Sequence, residues 1–168
     1  DYRFSSAISG LGGIIHNGSG VTVLTGMNSY AGATTVNAGS LFINGDQSGA
    51  TGLTSVNMGA TLGGVGVIGG DVAVVDGGAI NPGGPGASPG TLSIAGDLTL
   101  SSGSALNFSF GQANVPGGPL NDLINVAGDL TLDGTLNVDT SGGGVLDPGV
   151  YRVFNYQGSL IDNGVTAN

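Results

Sequence analysis

Few side chains in this sequence could take part in chemistry. There is one histidine, His16, no cysteine, and two cations, Arg3 and Arg152. All eleven acidic residues are aspartates. A general base, a metal ligand or a member of a nucleophilic triad needs partners within reach. A lone histidine opening the run His16-Asn17-Gly18-Ser19-Gly20 instead reads as an exposed turn residue. Without cysteine there is no thiolate zinc site and no cysteine nucleophile. Paired aspartates could serve as the acid and base of a glycosidase, and Asp129 with Asp133, or Asp71 with Asp76, stand close in sequence. These aspartates follow or precede glycine, as turn residues do. A lyase would also need cations beside its substrate, and the two arginines sit near opposite ends. The calcium repeat Gly-Gly-x-Gly-x-Asp is approached only at residues 63–68, where Ile68 takes the place of the ligand. The expectation is therefore no enzyme, no catalytic residue, no metal and no cofactor. A carbohydrate-active enzyme is the remote alternative.

Composition says what must carry these side chains. The chain of 168 residues has 36 glycines, only 8% charged residues and a formal net charge of -9. Lys and Glu are absent, which removes much of the material of a surface helix. Gly, Asn, Asp, Ser and Thr abound instead and favour turns and strands. A hydrophobic fraction of 39% and a mean hydropathy of +0.30 argue against disorder. The net charge excludes nucleic acid as a partner and disfavours anionic membranes. No run of about 18 apolar residues exists, so no insertion of this segment into a membrane as a helix is expected.

Internal repeats supply the architecture. The hexapeptide Ala-Gly-Asp-Leu-Thr-Leu occurs at residues 95–100 and again at 127–132, with a relative at Gly70–Val74. A second pattern, apolar-x-x-Gly-x-x-apolar, runs from Val56 to Leu62, Val74 to Ile80 and Leu100 to Leu106. Shorter copies run from Val36 to Leu41 and from Leu132 to Leu136. In each strand alternate residues face opposite ways, so Leu98 and Leu100 share an inner face while Asp97 and Thr99 point outward. The following glycine permits a corner with positive φ. A unit of this kind cannot bury its face alone, but stacked coils bury all faces together. The expected fold is an all-β, right-handed parallel β-helix (a β-solenoid) of roughly seven coils, each adding ~4.8 Å along the axis.

Asn37 and Asn57 hold equivalent places in this pattern. They read either as rungs of an amide ladder or as two exposed turn residues. Phe108 and Phe110 should face the core. Tyr151, Phe154 and Tyr156 read as core or coil-capping residues, or as a patch for a partner.

Leu24–Leu41 carries Leu24-Thr25-Gly26, Asn28 with Tyr30, Gly32, Thr34-Thr35-Val36, and Gly39 with Leu41. In that order these resemble the autotransporter-associated β-strand repeat. The segments 62–70, 77–80 and 88–92 are similar to its usual continuation, and 121–138 and 148–151 look like the last coils before the family's C-terminal region. The resemblance implies the passenger of a Gram-negative type V secretion system, exported by a membrane barrel and located at the cell surface or outside it. Residues 1–168 would then be one β-helical segment of a longer passenger, with signal peptide and barrel lying outside the sequence.

The function expected is a stalk that supports export and display of an adhesin or virulence-associated protein. The alternative is direct adhesion to host surface or matrix components, or to sibling cells by self-association. That reading places binding on two Pro/Gly loops. One is Asn81–Gly90, with Asn81, Pro82, Pro85 and Pro89; the other is Gly111–Leu120, with Gln112, Asn114, Pro116 and Pro119. No cap is evident at either end, so open strand edges are expected to associate end to end. Flat threonine rows for ice binding find little support, because only Thr99 and Thr131 match.

Overall fold

The computed structural model describes residues 1–85 and 88–168. Gly86 and Ala87, part of the Asn81–Gly90 loop, lie outside the described residues. The described chain forms strands and turns with no helix. The first coil holds β1 (Tyr2–Phe4), β2 (Ser9–Gly10) and β3 (Ile14–His16). The second holds β4 (Val21–Leu24), β5 (Ser29–Tyr30) and β6 (Thr34–Val36). The third holds β7 (Gly39–Ile43), β8 (Asp46–Gln47) and β9 (Thr54–Val56). The fourth holds β10 (Ala60–Gly64), β11 (Val67–Ile68) and β12 (Val72–Val74). The fifth holds β13 (Ala79–Pro82), β14 (Thr91–Ile94) and β15 (Leu98–Leu100). β16 (Ala105–Phe110) and β17 (Leu123–Val126) open the sixth, and β18 (Leu130–Thr140) closes it and turns directly into the seventh. β19 (Phe154–Tyr156) and β20 (Leu160–Ala167) complete the series.

Every ladder between these strands is parallel and joins one coil to the next. In the first column Tyr2 pairs Thr22, then Leu41, Leu62, Ile80, Leu106, Leu136 and Ala167 in turn. In the second, Ile14 leads through Thr34, Thr54, Val72, Leu98 and Leu130 to Leu160. The third runs from Gln47 through Ile68, Ile94 and Val126 to Tyr156. This is a parallel β-helix of seven coils, with the end of β20 starting an eighth row.

The alternation read from the sequence sets the core. Leu98 and Leu100 are buried between exposed neighbours, and Leu41, Leu62, Ile80, Leu92 and Ile124 are fully enclosed. Each such aliphatic side chain contributes about 1.5–3 kcal/mol on burial. Phe108 and Phe110 are also buried. Phe154 meets Phe108 edge to face at 5.7 Å, and Tyr151 lies over Phe110 at 5.2 Å. The two outer rings thus continue the core into the last coil, whereas Tyr156 is largely exposed.

The corner glycines behave as the pattern predicts, with one exception. Gly39, Gly59, Gly77 and Gly134 take positive φ of 62°, 80°, 76° and 98°. Gly103 does not; its N–H instead donates to Asp76 Oδ1 at 2.8 Å. His16 also differs from expectation. It ends β3 rather than lying in a turn, and strand parity points it inward at the register position of Val36. Its ring is half-buried, with Nε2 enclosed.

Candidate functional site

Asp71 and Asp129, one from each pair considered for catalysis, form a row along the axis with Asp97, whereas Asp133 accepts from the N–H of Gly134 beside it. Asp71 Oδ1 accepts from the N–H of Asp97 at 2.9 Å, and Asp97 Oδ1 from that of Asp129 at 2.7 Å. Asp129 Oδ1 accepts from Ser159 N–H at 2.6 Å. The glycine before each position explains the Gly-Asp pairing. A β-carbon added at Gly96, Gly128 or Gly158 would collide with the carboxylate of Asp71, Asp97 or Asp129 respectively. Glycine makes room for the carboxylate from the coil before, and aspartate reaches to the coil after. These carboxylates therefore satisfy backbone donors rather than face a shared substrate. Asp76 likewise accepts from Gly103, and that bond holds its carboxyl below the usual range.

Amides form three further rows. Asn37 Nδ2 donates to Asn17 Oδ1 at 2.7 Å, and Asn57 Nδ2 to Asn37 Oδ1 at 2.6 Å. The ladder reading of Asn37 and Asn57 holds, and Asn17 extends it. Asn107, Asn137 and Asn168 form a second row at 2.9 and 3.2 Å. Asn125 and Asn155 form a third at 2.8 Å. The polar residues of the repeat at 24–41 also bond to neighbouring coils. Asn28 Oδ1 accepts from Ile8 N–H at 2.8 Å, and Tyr30 Oη donates to Gln47 Oε1 at 2.9 Å. Burial of Tyr30 raises its phenol pKa.

The Pro/Gly loops leave the helix on one flank. Asn81 and Pro82 still belong to β13, with Pro82 buried at the strand end, where a missing N–H is tolerated. Pro85 is exposed and Pro89 half-buried. In the second loop Gln112, Asn114, Pro116 and Pro119 are all exposed. Two adjacent buried residues organise this flank. Asn121 Oδ1 accepts from the N–H groups of Gly111 and Gln112, while its Nδ2 donates to the carbonyls of Gln112 and Val115. Asp122 Oδ1 accepts from Gly90 N–H at 2.8 Å, and its Oδ2 from Ser109 N–H at 2.7 Å. One carboxylate thus ties the end of the first loop to the strand leading into the second. Burial pushes its pKa up to about 6, against the pull of those two bonds.

A third excursion, residues 141–150, stacks on the second. Asn114, in the left-handed region at φ 64°, donates its N–H to Val150 O at 2.9 Å and accepts from Val150 N–H through Oδ1 at 3.1 Å. Val145 N–H donates to Gly111 O at 2.9 Å. The loops form a joined ridge. The sequence pointed to the two loops but not to Asn121, Asp122 or the third excursion. The signal available was a polar pair set directly before the apolar strand Leu123–Val126.

The model of the passenger-associated-transport-repeat family matches residues 15–43, which span β3 to β7. Over 165 residues the chain is 70% identical to a protein named Adhesin BmaC autotransporter from Brucella suis biovar 1 (strain 1330). The chain belongs to the autotransporter passengers. That match covers 98% of this chain but 5% of the relative's length. As an autotransporter passenger, it is a cell-surface or extracellular protein of a Gram-negative bacterium.

Proposed function

We propose that this segment is a β-helical stalk within a longer, non-enzymatic adhesin passenger, supporting its export and display. The observation that carries this reading is the direction of the polar bonds. The Asp71–Asp97–Asp129 row and the three asparagine rows all run from coil to coil along the axis. Each completed coil therefore offers acceptors to the next one, and a chain emerging from a membrane pore could fold by addition to coils already formed. The relative's name supports the adhesin context.

A second reading is favoured by the loop ridge. Rigidly supported Pro/Gly loops on a scaffold are suited to binding, and here Asp122, Asn121 and the Asn114–Val150 pair hold them in place. On this reading Asn81, Pro85, Pro89, Gln112, Asn114, Pro116 and Pro119 belong to an adhesive face for host surface or matrix components, while Pro82, expected from the sequence to join them, is buried beneath it.

An in-frame deletion of residues 1–168 in the full protein, with surface display and attachment scored separately, tests both. Collapse of display supports the stalk. Intact display with lost attachment supports the adhesive face. If neither changes, both readings fail.

A further inference from the structure

We propose that Arg152, Asn114 and the amide row of Asn155 and Asn125 form a binding site for a carboxylate-bearing sugar. The proposal rests on the adhesive reading of the loop ridge and names the ligand class for it.

Arg152 is one of two cations in a chain of net charge -9. It follows the third excursion and is exposed. Its Nη1 donates to Asn155 Oδ1 at 3.0 Å, and no carboxylate pairs with it among the described residues. A guanidinium presents several donors in a fixed fork that matches a carboxylate, and one anchored nitrogen leaves the others to a ligand. In a chain this acidic, an anion finds few other places to settle.

The surroundings suit a sugar. A hollow of about 200 Å³ is lined by Asn114, Pro116, Val150 and Arg152. The Oδ1 of Asn114 is occupied by Val150 N–H, so its amide nitrogen remains as a donor. Pro116 and Val150 supply apolar walls for the C–H face of a ring. Beyond Asn155 a second hollow of about 400 Å³ is lined by Asn125, Asn155 and Gln157, among others. Asn155 joins the two, because it bonds Arg152 on one side and Asn125 on the other. The amide nitrogens of Asn114 and Asn125 supply donors, and the Gln157 amide can both donate and accept, as ring hydroxyls require.

The test uses cells displaying the full passenger and four fluorescent probes: sialyllactose, lactose, a hyaluronan tetrasaccharide and its carboxyl-reduced form. The expected result is binding of at least one carboxylated probe, at least tenfold tighter than its neutral counterpart. The sialic and uronic arms tell which acidic sugar is meant. Arg152→Gln should weaken that binding at least tenfold at equal display, and Arg3→Gln should leave it unchanged. Equal binding of neutral probes, no binding of either acid, or indifference to Arg152→Gln would overturn the proposal. An acidic peptide that binds through Arg152 when neither sugar does would overturn it too. Attachment scored on the same cells separates the two claims. Attachment lost on deleting residues 111–120, with sugar binding indifferent to Arg152→Gln, leaves the adhesive face standing and sinks the sugar site. Sugar binding lost in Arg152→Gln with attachment kept in both variants does the reverse.

Discussion

A carboxylate oxygen of Asp97 fills the space that a β-carbon on Gly128 would occupy. The same oxygen accepts from the N–H of Asp129. The contact is steric as well as polar, since Gly128 is not among the positive-φ glycines. Gly128→Ala should therefore destabilise by about 1–3 kcal/mol, the usual cost of overpacking. Asp97→Ala should relieve only part of that clash, because backbone atoms of Gly96 also crowd the site. Thermal unfolding of the single and double variants should show costs that do not add.

In the Asn17–Asn37–Asn57 row, the middle residue makes two side-chain bonds and each end makes one. At about 1 kcal/mol per bond, Asn37→Ala should cost roughly twice as much as Asn17→Ala. Equal costs in denaturant titration would mean that the row contributes nothing as a ladder.

Asp122 gives a pH signature of defined sign. Its folded pKa is about 6, above the ordinary value of 3.8. Between these values the folded state keeps a proton that the unfolded chain has released. Stability from this group is therefore present below about pH 4 and is lost as pH rises to about 6, by an amount on the order of 3 kcal/mol. Asp46 and Asp76, whose pKa values are lowered, act with the opposite sign as the pH falls below the usual carboxylate range. Subtracting the stability curve of Asp122→Asn from that of wild type between pH 4 and 7 should isolate the slope. A flat difference would refute the assignment.

Both ends of the described coil stack expose apolar side chains: Tyr2, Leu11 and Ile15 at one, Leu160 and Ile161 at the other. At the first coil a hollow of about 310 Å³ opens onto Leu24 and Leu41. The isolated segment is expected to associate end to end, with sedimentation rising with concentration. A variant with Ile15→Lys and Ile161→Lys should sediment as a monomer. A wild-type segment that stays monomeric at high concentration would count against the expectation.

The coils were legible because the inward residues alternate regularly. Val36, Val56, Val74 and Leu100 are all buried. Asn17 was missed because His16 stands where those residues stand, so the first coil lacks the apolar mark that aligns it. The rows at Asn107–Asn137 and Asn125–Asn155 were hidden by spacing. Their partners lie 30 residues apart, against 20 for Asn37 and Asn57, because the loops lengthen the later coils. Asp122 reads in sequence as one more turn aspartate. Its carboxylate is held by Gly90, at the end of the first loop, and by Ser109, in β16, and no local pattern reports that.

The glycine–aspartate fit has an evolutionary consequence. The coils of Gly96–Asp97 and Gly128–Asp129 present the same socket on one side and the same plug on the other, so a duplicated or deleted copy of either finds its bonds already matched. The identical runs at 95–100 and 127–132 would be natural sites for unequal recombination between their coding repeats. Lineages carrying such passengers should then differ in the length of the β-helix by whole coils, with inheritance adjusting that length while leaving the fold unchanged.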